Sequence, residues 1–193
     1  MSRIPPVAPE DLPPELAEIY RTSPSGKLNI FRLHAHAPTV FPGYSAMSQA
    51  IFTKLDVPPL ERELVVLMIA ELEQCEYEWA QHAQIAAAMG IPQTKINAIQ
   101  AGRYDSDVFN KREMALFNFT RQTVKNVRVD DTAFNAVAAF YTHRQIIELL
   151  FTIGSYMMLA RIMEVAEIEL DAVHGAEIVQ HAVAAAEKAP NAR

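Results

Sequence analysis

Residues 63–89 read ELVVLMIAELEQCEYEWAQHAQIAAAM, and this stretch restricts the fold more than any other. Its first part, Leu64–Ala70, is apolar at every position. A helix built from it has no face for water and must be enclosed by other elements. The second part is different. A helix advances about 100° per residue, which gathers Cys75, Glu78, Trp79 and His82 on one narrow face, continued by Ala86 and Met89. A carboxylate and an imidazole inside an apolar stripe need a partner, because buried charge is costly unless paired. Glu63 supplies one. If the chain reverses near Glu73–Gln74, Glu63 lies about ten residues before the turn and His82 about eight after it. At a rise of ~1.5 Å per residue their levels differ by only ~3 Å. The expectation is an antiparallel helix hairpin, 59–73 and 75–89, in which Glu63 meets His82 and Glu78 reaches the imidazole from its own helix.

The remaining pattern is helical as well. Pro13–Pro14 suits a first turn, starting a helix that runs to Arg21. Asn29–His36 is a short helix stopped by Pro38, and Thr39–Thr53 a longer one with Pro42 in its first turn. Gly90 closes the hairpin, Pro92–Ala101 ends at Gly102, and Lys111–Asn126 follows. Asp130 or Asp131 caps a helix to Tyr141, Gln145–Glu167 is long and apolar, and the alanine-rich 175–188 is helical by propensity. Residues 1–9 are proline-rich and extended, an arm to be laid on a neighbouring subunit. No stretch shows sustained strand alternation. The fold class is all-α, with about eight helices in a single domain spanning 1–193.

Charge and composition narrow the partners. A net charge of −6 without a basic cluster argues against nucleic acid and against an anionic membrane surface. The longest uncharged apolar run near the C-terminus, Leu149–Ala160, has twelve residues, short of the ~20 needed for a membrane span. The N-terminal residues contain no apolar run of the signal-peptide kind. One cysteine forms no disulfide framework and suits a reducing cytoplasm.

Each candidate residue has a chemical and a packing reading. Glu63 and His82 form either a proton relay, with the carboxylate holding the imidazole, or a structural ion pair. Glu78 is a second acid/base one turn from His82, or a helix pair with it. Cys75 is a thiol nucleophile at a helix N-terminus, or a small buried hydrophobe that only lines the site. Tyr77 and Trp79 shape a substrate pocket or pack the core. Arg161 binds a substrate carboxylate, or pairs with Glu164 or Glu148. His34 and His36 have no second ligand cluster at suitable spacing, so no metal is assigned. No phosphate-cradling glycine loop is present, and no cofactor is assigned.

The spacing Glu63–(11 residues)–Cys75–x–x–Glu78–x–x–x–His82 resembles the core motif of the carboxymuconolactone decarboxylase / alkylhydroperoxidase D-like superfamily. CEYEWAQH is similar to the YEW variant of that motif, and NIFRLHAHAP, LDVPPLERELVVL and ELLFTIGSYMMLARIMEV extend the likeness over roughly 28–170. The resemblance implies an alkylhydroperoxidase D-like helical bundle that assembles as a trimer or hexamer. It further implies cofactor-free acid–base chemistry on a small-molecule substrate, by decarboxylation or isomerisation of a small carboxylated lactone or related enolisable acid. In one place the chain departs from the peroxidase members: Glu78 stands where they carry the second cysteine of C-x-x-C. An intramolecular dithiol cycle is therefore not open to it. Two alternatives remain at this level: a thiol peroxidase using Cys75 with an external thiol, and a non-catalytic oligomeric binding protein.

Overall fold

A computed structural model describes residues 2–171, 177–181 and 184. Nine α-helices form the body of the described residues: α1 Pro14–Thr22, α2 Asn29–His34, α3 Phe41–Thr53, α4 Pro59–Leu72, α5 Glu76–Ala88, α6 Gln93–Gln100, α7 Lys111–Asn126, α8 Asp131–Ala138 and α9 His143–Ala166. Two short 3-10 turns, Pro9–Asp11 and Ser25–Lys27, flank α1. Residues 177–181 and 184 are helical, and the rest of the helix expected over 175–188 lies outside the described residues.

The α4–α5 hairpin is the centre of the molecule. Pro59 opens α4, where a missing N–H costs no helical bond. At its other end Gln74 takes a left-handed conformation, φ 56°, while the Cys75 N–H bonds the Ala70 carbonyl at 2.9 Å and the Gln74 N–H bonds that of Glu71 at 3.1 Å. This 6→1 and 5→2 pairing closes the helix and leaves Cys75 extended as the N-cap of α5. Gly90 and Gly102 end α5 and α6 through the same pairing, at φ 90° and 65°.

All nine residues from Arg62 to Ala70 are buried, because α4 is packed on two sides. Val65, Val66 and Ile69 join a core with Leu116, Phe119, Leu149 and Ile153 from α7 and α9. Leu64, Leu67 and Met68 join a second core with Ile96, Ile99 and Phe117 from α6 and α7. A smaller cluster holds α1, α2 and the start of α3 together.

Three expectations are corrected. The N-terminal arm lies on its own chain: the Arg3 and Ile4 N–H groups bond the Ala166 carbonyl, and the Val7 N–H bonds that of Arg32. Helix α8 stops at Ala138 rather than Tyr141, because Thr142 must be extended (φ −68°, ψ 161°) to cap the next helix. That cap is a full capping box with Gln145, so α9 begins at His143. Helix α9 is long and apolar enough to cross a membrane by length and composition, but half of its most apolar window is buried inside the bundle.

Candidate functional site

Glu63 and His82 meet across the hairpin. Glu63 projects from α4 with no exposed surface, and its Oε1 lies 2.5 Å from His82 Nδ1. A carboxylate accepts, so Nδ1 carries the hydrogen and Nε2 is left as the free ring nitrogen. Glu63 Oε2 faces Arg62 Nη2 at 3.4 Å. Arg62 is itself buried: its Nη1 donates to the Phe52 carbonyl and its guanidinium stacks on the Phe52 ring at 4.3 Å. The His82 ring stands edge-on to Tyr156 of α9, with centroids 5.1 Å apart at 84°. Its side chain keeps 13% exposure, and Nε2 is neither bonded to protein nor among the buried atoms cut off from water.

Glu78, one turn back on α5, is buried to 2% exposure, and neither carboxyl oxygen has a hydrogen-bond partner. Burial, then the charges of Glu63 and Glu73, hold its pKa well above the usual carboxylate range. An unpaired carboxylate here would cost far more than a neutral acid, so Glu78 is a carboxylic acid at neutral pH and carries an O–H to donate. Two phenols interact with it, Tyr44 of α3 and Tyr156. Burial raises the pKa of both, so both remain phenols, and Tyr44 lies beside the hydroxyls of Ser48 and Ser155. His34 of α2 packs on Tyr44 at 5.0 Å; its Nε2 is buried without a partner, and desolvation lowers its pKa to about 4.

The hairpin thus joins Glu63 and His82 as expected; Glu78 is near enough to feel the Glu63 charge but, contrary to expectation, makes no hydrogen bond with the His82 imidazole. The others point elsewhere. Cys75 packs with Tyr77, Ala160 and Met163, and its thiol is pushed up to about 12 by burial. It is a protonated, enclosed thiol rather than a thiolate. Tyr77 does not face the pair: its hydroxyl donates to Asp171 Oδ2 at 2.7 Å and accepts from the Ile30 N–H at 3.3 Å, tying α5 to α2 and to the segment after α9. Trp79 leans into the second core, against α4 and α6. Arg161 is 55% exposed and pairs with Glu73 at 2.7 Å, not with Glu164 or Glu148, so it holds no position for a substrate carboxylate. Cavities of about 250 and 190 Å³ lie around Tyr77–Glu164 and Cys75–Trp79, and neither is lined by Glu63, Glu78 or His82. Access to the pair is through the open edge of His82. Among the described residues, no group of three or more His, Cys, Asp or Glu is set to hold a metal ion.

Five neighbours of the trio were not singled out as site residues from the sequence. Arg62 sits beside Glu63 in a stretch dominated by its apolar run. Ser155 and Tyr156 are polar groups on the buried side of an apolar helix, which was a usable signal. Tyr44 and His34 come from separate helices, and only the tertiary fold joins them to Glu78.

Residues 38–122, which include Glu63, Cys75, Glu78 and His82, match the model of the carboxymuconolactone decarboxylase family. Among curated proteins none matches the chain. Solved structures share the fold at low identity. An alkylhydroperoxidase AhpD core, an uncharacterized peroxidase-related protein from Ralstonia eutropha JMP134, superposes with a TM-score of 0.77 at 19% identity, over 88% of this chain and 92% of that one. A second uncharacterized peroxidase-related protein, from Silicibacter sp. TM1040, gives 0.75 at 14%, over 87% and 91%. A cysteine-to-alanine variant of a debrominase, in complex with 2,3,4-tribromopyrrole, gives 0.74 at 16%, over 95% and 96%.

Proposed function

We propose, from the premise that this chain is a member of the carboxymuconolactone decarboxylase / alkylhydroperoxidase D-like superfamily, that it is an enzyme moving protons on a small enolisable compound, without a metal or organic cofactor. One observation carries the reading: a base and an acid stand together. Glu63 binds His82 Nδ1 at 2.5 Å, which leaves Nε2 as a lone-pair base, and Glu78 beside it is a buried acid without a partner. Pairs of titratable groups whose surroundings drive their protonation apart are what acid–base catalysis requires. Glu63 orients the imidazole and stabilises its charged form; His82 takes and returns the proton; Glu78 is the second acid.

Of the two reactions implied by the family, a proton shift (isomerisation of a lactone or related compound) is favoured over decarboxylation. The cation considered for a substrate carboxylate, Arg161, is occupied by Glu73. A thiol mechanism is disfavoured by the burial of Cys75, which pushes its pKa up to about 12. The single cysteine also agrees with work in the cytoplasm.

The test is hydrogen–deuterium exchange at carbon. A panel of small lactones and enones in D₂O is incubated with the protein and with His82→Ala. Exchange by the wild type that the variant loses supports the reading. No exchange across the panel turns the proposal toward a non-catalytic binding protein.

The chain is further proposed to act as a homo-oligomer. Ile147, Leu150, Phe151, Met158 and Val165 are exposed on α9, and a rotation of 100° per residue sets all five on one face. Phe151 alone is 59% exposed. A contiguous apolar stripe of this kind marks an interaction surface. Light scattering at micromolar concentration should give a mass of at least two subunits, and Phe151→Glu should lower it. A monomeric wild type sinks this expectation.

A further inference from the structure

Two groups near His82, Glu78 and Tyr156, have no hydrogen-bond partner in the protein among the described residues. Glu78 has two buried oxygens with no partner. Tyr156 lies edge-on to the imidazole, and its hydroxyl is neither bonded to protein nor cut off from solvent among the described residues. Tyr44, packed on His34, is already engaged by the Ser48 and Ser155 hydroxyls. Polar groups such as these are left unpaired in a folded protein only at a cost, so Glu78 and Tyr156, which interact with one another, call for a ligand atom. That atom accepts hydrogen bonds, because what is offered to it is a carboxylic acid and a phenol.

Among the described residues, two arginines, Arg62 and Arg161, are already engaged. Arg62 is engaged by Glu63, the Phe52 carbonyl and the Phe52 ring, and Arg161 by Glu73. A substrate that arrives with a full negative charge would meet the Glu63 carboxylate without compensation. The arrangement suits an oxygen that is neutral on arrival and becomes negative during the reaction.

We infer that Glu78 and Tyr156 form an oxyanion hole beside His82, and that the substrate class is an uncharged carbonyl compound with an acidic α-carbon. The inference rests on the acid–base reading above and deepens it. In the step, His82 Nε2 removes a proton from the carbon next to the carbonyl. The C–H pair becomes the C=C bond of an enolate, and the carbonyl π pair moves to oxygen. That oxygen accepts from the Glu78 and Tyr156 hydroxyls, while Glu63 stabilises the imidazolium. Return of the proton to the same or the conjugated carbon restores the carbonyl, so no oxidant or reductant is required. A protonated carboxylic acid beside a tyrosine is a known way to hold an enolate oxygen at neutral pH.

The probe is 4-nitrophenol, whose ionised form carries its negative charge on a planar oxygen like that of an enolate and absorbs visibly. Wild-type protein should take up the neutral phenol and hold it as the phenolate, its proton passed to His82 Nε2, with a shifted absorption band. Tyr156→Phe should weaken binding about 10-fold or more, the size of a hydrogen bond to a charged group. If Tyr156→Phe does not fold, Glu78→Leu removes the other donor and should show the same loss. Absence of wild-type binding, or equal binding by the folded variant, overturns the oxyanion hole. The two proposals fail separately. Carbon exchange lost in His82→Ala, together with phenolate binding indifferent to Tyr156, removes only this inference. Phenolate binding that depends on Tyr156, with no exchange on any carbon acid, removes only the proton-transfer reading.

Discussion

Glu63→Gln and His82→Ala are each expected to slow carbon-proton exchange by ~10²-fold or more, the usual size of an acid–base contribution. For His82→Ala the reason is simple: the base is gone. For Glu63→Gln it is tautomeric. In the native pair the carboxylate can only accept, which fixes the hydrogen on Nδ1 and the lone pair on Nε2. An amide can turn its NH₂ group toward Nδ1 instead, which drives the hydrogen to Nε2 and blocks the base. Loss of the carboxylate charge also removes the partner of the imidazolium formed in the step. A serine-protease triad loses about 10⁴-fold in the corresponding aspartate-to-asparagine change. Exchange rates, with nitrogen NMR of His82 to read the tautomer, check both parts. Rates within threefold of wild type in folded variants would remove the pair from the mechanism.

Arg62→Ala is expected to destabilise the fold by about 3–5 kcal/mol, the cost of stranding one partner of a buried ion pair. Glu63 has no exposed surface, and Arg62 sits beside its Oε2. Removing the guanidinium also frees the Phe52 carbonyl and leaves a gap over the Phe52 ring. At about 2–4 °C per kcal/mol for a chain of this size, the melting point should fall by roughly 10 °C. The double variant with Glu63→Gln separates charge from packing. If the loss is electrostatic, Glu63→Gln recovers part of it, with a coupling in the range of about 0.5–3 kcal/mol. A single-variant loss below about 1 kcal/mol would mean that His82 alone suffices to balance Glu63.

The hairpin and its central contact were legible because they are local. Glu63 and His82 lie on consecutive helices joined by a short turn, so a count of residues from the reversal fixes their levels. The glycine stops at Gly90 and Gly102 were legible for the same reason. The reversal itself uses Gln74 at positive φ, where local preference asks for glycine, and only the packing of α4 against α5 holds it there. The capping box Thr142–Gln145 was written in the sequence, but the apolar run that follows outweighed it and the start of α9 was set two residues late. The wheel of α5 sets Trp79 on the face of Glu78 and His82, and Tyr77 reads as a second pocket aromatic beside it. In the fold α5 is contacted on more than one side: Tyr77 goes to Asp171 and Trp79 to α6. Tyr44, His34 and Tyr156 reach Glu78 from helices far apart in the chain, which no spacing within a segment encodes.

Glu78 also makes folding a proton-consuming reaction. In the unfolded chain its pKa is that of an ordinary carboxylate, near 4.5, and it is ionised at neutral pH; in the fold the pKa is raised well above that value and the group holds its proton. Between those two values the native state binds more protons than the unfolded state, so unfolding free energy falls as pH rises through that window. Below 4.5 this group no longer contributes a slope. The direction is opposite to that of a salt-bridged carboxylate, which favours the fold at the alkaline side of its titration. Urea unfolding from pH 5 to 8 should show this slope in the wild type and lose it in Glu78→Gln, which becomes the more stable of the two toward pH 8. Parallel pH profiles for the two proteins would mean that Glu78 is ionised in the folded state.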